Sequence, residues 1–478
     1  MSVREVDVAI IGAGTAGMGA YRAARKHTDN LVLIEGGPYG TTCARVGCMP
    51  SKLLIAAAEA AEAVREAAGF GVHAPAPRID GAEVMARVGR ERDRFVGFVL
   101  EAVEAIDPVH RLKGCARFED PHTLRLDTGE RLRAARIIVA TGSIPVRPKA
   151  FDAAGDRLIV NDDVFGWTDL PKAVAVFGGG VLGLELAQAL HRLGVRVRLF
   201  GKGGGAGQLS DPAVRKAAIA AIGADLPFNP DADVRDISRV GDDVIVRFTE
   251  DDKNREERFD WLLAATGRKP ALDGLNLAAS GLTLDDRGLP KVDPLTMRTE
   301  ARHIFFGGDV AARIPLLPEA ADDGRIAGDN AGRFPEITAH PRRTPLAIAF
   351  TDPNIATVGA SFAELSDGGR DFAIGEVDFA DQGRARVLRQ NRGLLRIYGE
   401  RGSGHLLGAE MAAPGGEHLA HLLAWAVQAG IDVETALTMP FYHPVLEEGL
   451  RTALRDLSLN LGQKPEHPPR SIDCGPGA

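Results

Sequence analysis

The sequence predicts an α/β protein: two doubly wound units with parallel sheets, followed by a C-terminal α+β unit. Three observations predict it. A strand, a glycine turn, a helix and a second strand succeed one another over residues 7–35. The same succession returns over residues 173–200, and after the Pro-rich stretch 334–345 strands and helices alternate without another such turn. A chain of 478 residues is too long for one core, and two to four domains are expected. The expected divisions are 1–150, 151–275, a return to the first unit over 276–342, the α+β unit at 343–462, and a loose Pro/Gly-rich tail at 463–478.

In the first unit, Asp7-Val-Ala-Ile-Ile11 is a short apolar run, as a strand buried on both faces of a parallel sheet requires. It meets Gly12-Ala-Gly14-Thr-Ala-Gly17, an alanine-rich helix to about Lys26, the strand Leu31–Ile34, and then Glu35. A GxGxxG turn between strand and helix, with an acid about 20 residues on, is a Rossmann-like dinucleotide fingerprint. Its glycines let backbone approach a pyrophosphate at the helix N-terminus, and Glu35 can accept from a ribose. The bland competitor is a glycine turn with no ligand.

Next comes Gly40-Thr-Thr-Cys43-Ala-Arg-Val-Gly-Cys48-Met-Pro-Ser-Lys52. On an ideal helix such a CxxxxC spacing leaves the Cα atoms roughly 8–9 Å apart, whereas a disulfide needs about 7 Å or less. Pairing would need a bend, which Gly47 permits. Helices are expected over 53–105 with a break near 69–79, then a strand from Ile137 into Thr141-Gly142.

The second unit repeats the plan. Ala173–Phe177 leads into Gly178-Gly-Gly180-Val-Leu-Gly183, a helix carrying Glu185 and ended by Gly194, and the strand Val195–Phe200. Two turns imply two nucleotide sites, for two cofactors or for one cofactor and a nucleotide substrate. Ala-Thr-Gly recurs at 265–267, and Gly307-Gly308-Asp309 precedes a helical segment, Glu319–Asn330. The last unit reads as strands Ile355–Gly359 and Gly393–Tyr398 with helices Glu417–Ala429 and Val445–Leu459.

Several function classes are disfavoured. The formal charge of −8 offers no footprint for nucleic acid or an anionic membrane. No run approaches the roughly 18 apolar residues of a spanning helix, and the N-terminus lacks a signal-peptide layout. Four cysteines with no secreted-type framework indicate a reduced compartment, so the expected location is the cytoplasm.

Taken in order, GxGxxG with Glu35, CxxxxC with Pro50-Ser51-Lys52, a second GxGxxG, Thr266-Gly267-Arg268, Gly-Gly-Asp309 and His443-Pro444 with Glu448 resemble the flavin-dependent pyridine nucleotide-disulfide oxidoreductases. Within that family they look most like the dihydrolipoyl dehydrogenase branch. The resemblance implies an FAD-binding and an NAD(P)-binding Rossmann-like domain plus a C-terminal dimerisation domain. It carries Gly12, Gly14, Gly17, Glu35, Thr41, Thr42, Lys52, Ala116, Thr141, Gly142, Asp309 and the backbone at Leu317 over as FAD contacts. It carries Gly178, Gly180, Gly183, Glu185, Lys202 and Gly267 over to the NAD(P) side, with Glu185 pairing with Lys52 beside the flavin ring. Cys43 and Cys48 become a redox disulfide, Cys48 facing flavin and Cys43 exchanging with substrate. His443, held by Glu448, becomes the base and reaches the disulfide from the partner subunit, so an obligate homodimer is implied. Any lipoyl group is expected to arrive on a partner protein of a 2-oxoacid dehydrogenase complex. The alternatives are a reductase of another disulfide or of a metal ion, or a disulfide-independent transhydrogenase or diaphorase.

Each residue also has a plainer reading. The cysteines read as buried thiols; a metal site is not expected, because the spacing is not CxxC and no second ligand cluster is visible. Pro444 is a favoured first helical residue, so His443 is expected at a helix entrance, either as a base with its pKa lowered by the dipole or merely as a cap. Cys115 reads as a core thiol and Cys474 as a single cysteine without a neighbour. Some features depart from the family. Gly201 stands where NAD-preferring relatives place an acid, and Lys202 beside it suits a 2′-phosphate. Gly183, and Gln208 where a second cation would stand, point the other way, and the balance favours NAD. Arg45, between the cysteines, is expected to lower a thiolate pKa or to receive an anionic substrate. Arg22 aligns with a glutathione contact of the glutathione reductases or is a helix-surface residue, and Pro50-Ser51-Lys52 favours the lipoamide branch.

Overall fold

The structure is a computed structural model that describes residues 3–462; Cys474 and the expected tail lie outside the described residues. The chain forms two compact units. One combines the residues up to Leu53, Met85–Val146 and Gly267–Arg342; the other combines Leu54–Val84, Arg147–Thr266 and the described residues from Arg343.

The first unit is built on the strand Arg4–Ile11, where Val8, Ala9 and Ile10 have no exposed surface. It pairs in parallel with Leu31–Glu35 on one side (Ile10 opposite Leu33) and with Arg131–Val139 on the other (Ala9 opposite Ile137). Arg111–Lys113 extends the parallel sheet beyond Leu31–Glu35, and Ile304–Phe306 joins the far end of Arg131–Val139. Thr123–Leu126 and Ala116–Phe118 complete it as an antiparallel edge. Double-sided burial explains the unbroken apolar runs of the central strands. Against this sheet, the helix Thr15–Ala24 meets the helix Leu317–Arg333 through small residues. A Cβ on Gly324 or Gly328 would collide with the backbone of Ala16 or Ala20, so the two helices touch backbone to backbone.

The second unit holds a five-stranded parallel sheet in the order Phe228–Asn229, Arg196–Phe200, Ala173–Phe177, Trp261–Ala264, Leu158–Val160. A three-stranded antiparallel sheet, Asp233–Val240, Asp243–Glu250 and Lys253–Phe259, packs Val244, Val246 and Phe248 into the same core. From Leu346 onward a fully antiparallel five-stranded sheet carries the helices Gly416–Gln428 and Glu448–Asn460. Within this unit Glu410 has no exposed surface, and its carboxylate accepts from the backbone N–H groups of Ser210, Asp211 and Phe362. Four helices lie close to their expected spans: Cys48–Glu66 and Gly81–Glu104 flank the break near 69–79, Val181–Arg192 carries Glu185, and Leu317–Arg333 covers Glu319–Asn330.

Candidate active site

The two glycine turns fold alike. A Cβ on Gly12 (φ +103°) would collide with the Ala140 carbonyl, and one on Gly17 with the Gly12 carbonyl. In the second turn, Gly178 (φ +122°) stands in the same way against Ala265, and Gly183 against Gly178. These glycines let strand, helix and crossing chain touch. The middle glycines differ: a Cβ on Gly14 or Gly180 would meet nothing within 4 Å. Each is the N-cap of its helix, so unbonded first-turn N–H groups face that open space, the place for a pyrophosphate. Glu35 Oε2 accepts from Ala13 N–H and Oε1 from Gly37 N–H, both at 2.7 Å. Each oxygen keeps a lone pair for a hydroxyl donor.

Around the crossing chain, Thr141 Oγ1 donates to the Ala271 carbonyl at 2.8 Å. Asp309 Oδ2 accepts from Ser143 Oγ at 2.6 Å, and Arg268 donates through Nε to Ser143 Oγ and through Nη2 to its carbonyl, both at 2.9 Å. Ser143 and Arg268 fix the carboxylate of Asp309, and neither was among the expected site residues, although Arg268 closes the Thr266-Gly267-Arg268 motif. Their signal was position alone: each follows an Ala-Thr-Gly. Ala116 is buried in its strand, Leu317 opens the helix Leu317–Arg333 and is 44% exposed, and Lys52 lies half-buried one turn after Cys48. Gly267 opens a segment of the first unit, and Lys202 is exposed after the strand Arg196–Phe200.

The cysteines occupy two helices, not one. Thr42–Val46 is a single helical turn capped by Thr41 Oγ1, which accepts from Ala44 N–H at 3.3 Å. At Gly47 the backbone leaves the helix (φ −129°, ψ −119°), and a new helix starts at Cys48. That break supplies the bend the spacing demanded. It brings the half-buried Cys43 thiol into hydrogen bonding with Cys48, and that bond, followed by burial, pushes the Cys43 pKa up. Backbone N–H groups of Cys48 and Met49, at the start of the helix Cys48–Glu66, act on the same sulfur in the opposite sense. Arg45 is not among the principal causes of that shift; its stem lies against Gly40. A Cβ there would come within 2.9 Å of Arg45 Cδ and 3.0 Å of Val96 Cγ1.

Thr41 carries an unusual backbone, φ +57° with ψ 153°. That region is open essentially to glycine, and another residue held there costs about 1–3 kcal/mol. Replacing Thr41 by Gly loses the cap, a few tenths of a kcal/mol, and roughly 0.5–1 kcal/mol of chain entropy. In the middle of that range, relief of strain outweighs these losses. T41G is therefore expected to raise the thermal midpoint by about 1–2 °C, and a scanning calorimetry trace with an unchanged or lower midpoint would refute the strain.

His443 also departs from expectation. The helix begins at Glu448, not at Pro444, and Val445 N–H donates to Glu448 Oε2 at 3.1 Å. The His443–Pro444 bond is cis. His443 thus lies five residues before the first residue of that helix. What holds it is Glu448: Nδ1 lies 3.1 Å from both carboxylate oxygens. Glu448 is 1% exposed and is also bonded at 3.0 Å by Arg451 Nη2. A carboxylate accepts only, so Nδ1 carries the hydrogen and Nε2 is left as the basic nitrogen. The ring itself is exposed (side chain 69%).

Comparison with known proteins decides the family. Residues 6–324 match the model of the pyridine nucleotide-disulphide oxidoreductases, and residues 346–454 match the model of their dimerisation domain. The chain belongs to this family. A dihydrolipoyl dehydrogenase of Haloferax volcanii is 32% identical to this oxidoreductase over 94% of this chain and 95% of its own. A mercuric reductase of Streptomyces lividans is 31% identical over 96% and 97%. Among solved structures, LpdA from Mycobacterium tuberculosis superimposes with a TM-score of 0.78 at 25% identity, covering 95% of this chain and 99% of that one. The flavoprotein disulfide reductase RclA of Escherichia coli, at 23% identity and the same score and coverage, shares the fold.

As a member of the family, the protein is an FAD-dependent oxidoreductase that works with a pyridine nucleotide, and its C-terminal domain makes it a homodimer. The two cradles fit this pair of dinucleotides: each has an open N-terminal space at its middle glycine and close contact at the outer ones. Among the described residues no helix is long and apolar enough to cross a membrane.

Proposed function

We propose that this oxidoreductase passes electrons between a dihydrolipoamide-type dithiol and NAD(P) through Cys43, Cys48 and FAD. The observation that carries the reading is the Cys43–Cys48 hydrogen bond across the break at Gly47. Two thiols held that close on separate helices form a pair that can close to a disulfide and reopen. The dihydrolipoyl dehydrogenases at about a third identity along nearly the whole chain support the substrate class.

In this reading the first unit holds FAD between Gly12, Gly14, Gly17 and Glu35, with Thr41, Thr42, Lys52, Ala116, Thr141, Gly142, Asp309 and Leu317 along it. The second unit holds NAD(P) at Gly178, Gly180 and Gly183, with Glu185, Lys202 and Gly267 serving that side. The part from Leu346 onward pairs the subunits. Bound flavin supplies two-electron transfer to and from a thiolate. The protein supplies the rest. A substrate thiolate attacks the disulfide at Cys43, and Cys48 leaves as thiolate. The second substrate thiol then displaces Cys43 and closes the substrate's own disulfide. His443 Nε2 of the partner subunit takes the proton from the dithiol, and Glu448 steadies the resulting imidazolium. A cytoplasmic location and a lipoyl-bearing partner protein belong to the same reading.

Steady-state assays of the purified holoenzyme test it. Dihydrolipoamide with NAD is expected to turn over at rates of order 10 s⁻¹ or more, and glutathione disulfide with NADH or NADPH far more slowly. The mercuric reductases among the relatives, as similar as the dehydrogenases, favour metal-ion reduction as the second reading. Turnover of Hg(II) with NADPH, in the absence of dihydrolipoamide turnover, would decide for it.

A further inference from the structure

In the second unit, no side chain fits at Gly201, where an acid would mark an NAD site. Gly201 donates to the Asn229 carbonyl at 2.7 Å and accepts from Ala232 N–H at 3.0 Å, and a Cβ on it would collide with the Pro230 carbonyl. The end of the strand Arg196–Phe200 is thus clamped against the chain that follows Phe228–Asn229, its neighbour in the sheet. That same chain brings a carboxylate to the place: Asp231 Oδ1 accepts from Gly203 N–H at 2.7 Å. Asp231 is exposed.

We propose that Asp231 is the acid that reads the adenosine ribose of the nicotinamide nucleotide, taking from the turn after a neighbouring strand the role residue 201 cannot fill, and that it selects NAD over NADP. The inference rests on the reading that the Gly178–Gly183 turn holds that nucleotide.

Two further observations favour it. The loop after the strand is glycine-rich, and Gly203 (φ +75°) and Gly204 (φ +68°) adopt the left-handed backbone that can aim successive N–H groups at an anion. Here both N–H groups are already bonded to protein acceptors, Gly203 to Asp231 and Gly204 to the Pro230 carbonyl at 3.1 Å. A 2′-phosphate arriving at this loop would meet a carboxylate where it needs donors. Lys202 is the one cation in the stretch 201–207, and a single exposed lysine offers a phosphate little against a nearby acid. A ribose with free 2′- and 3′-hydroxyls has the donors that the remaining lone pairs of Asp231 accept.

Anaerobic stopped-flow reduction of the enzyme-bound FAD by NADH and by NADPH tests the inference on wild type and on Asp231→Asn. The asparagine keeps an oxygen to accept from Gly203, so the loop retains its fold while the charge is lost. Wild type is expected to prefer NADH. In Asp231→Asn the ratio of second-order constants, NADPH over NADH, is expected to rise about tenfold or more, a change of about 1.4 kcal/mol or more in discrimination. An unchanged ratio with normal reduction by NADH overturns the role of Asp231 and leaves the nucleotide site standing. A wild-type preference for NADPH also overturns it. Wild-type flavin that neither nucleotide reduces overturns the nucleotide-site reading, and the inference with it.

Discussion

Replacing Cys43 by Ser is expected to lower dihydrolipoamide oxidation by about a thousandfold or more while NADH-to-quinone electron transfer survives. Only a thiolate attacks or leaves a disulfide at useful rates, and a serine hydroxyl cannot form one. Structurally the exchange is mild. Cys43 is half-buried beside the break at Gly47, and a hydroxyl can still accept from the Cys48 and Met49 N–H groups that act on the sulfur now. The glycine cradles, Glu35 and the Ser143–Asp309–Arg268 group do not contain this residue, so nucleotide binding and flavin reduction are expected to persist. The measurement is a pair of assays on one preparation, dihydrolipoamide with NAD and NADH with a quinone. Dihydrolipoamide turnover within tenfold of wild type would sink the disulfide mechanism and favour a diaphorase or transhydrogenase. Loss of both activities would place Cys43 in the fold instead of the chemistry.

What the sequence disclosed, and what it hid, follows from the range of the interactions. The glycine turns were legible because strand, turn and helix are contiguous, and steric demands on Gly12, Gly17, Gly178 and Gly183 leave one residue type. The bend between the cysteines was legible for a similar reason: a geometric impossibility on one helix, with a glycine in the right place to resolve it. The start of the last helix was not. Pro444 carries a strong local signal, but the helix starts only at Glu448, whose buried carboxylate binds Val445 N–H and His443 from the preceding segment. The course of the Arg45 stem was not legible either, because sequence adjacency to the thiols says nothing of where a long side chain runs; it lies against Gly40. Ser143 and Arg268, far apart in sequence, meet only through the antiparallel pairing of Ser143–Pro145 with Arg268–Pro270. Asp231 was hidden in the same way, since it reaches the loop after Phe200 only through the pairing of neighbouring strands.

The second large effect is expected at His443. His443→Gln should lower dihydrolipoamide turnover by about 10²–10⁴-fold, the usual span for loss of a general base, with NADH-to-quinone transfer retained. The exchange step makes the need for a base concrete: only the thiolate of the substrate attacks the disulfide at Cys43, so a separate group must take the proton from the substrate dithiol. Glutamine can donate to Glu448 as Nδ1–H does, which keeps the buried carboxylate paired and isolates the lost basicity from any loss of fold. The exposed ring of His443 lies on the chain after the dimerisation-domain sheet, and the reading assigns it to the partner's cysteines. Co-expression of H443Q and C43S subunits tests that assignment. Random pairing makes about half of the dimers mixed. Each mixed dimer has one site with an intact cysteine pair facing an intact histidine and one site with neither, so about a quarter of wild-type turnover should return although neither variant alone is active. If the histidine served its own subunit, every site in the mixture would lack one group, and no activity would return.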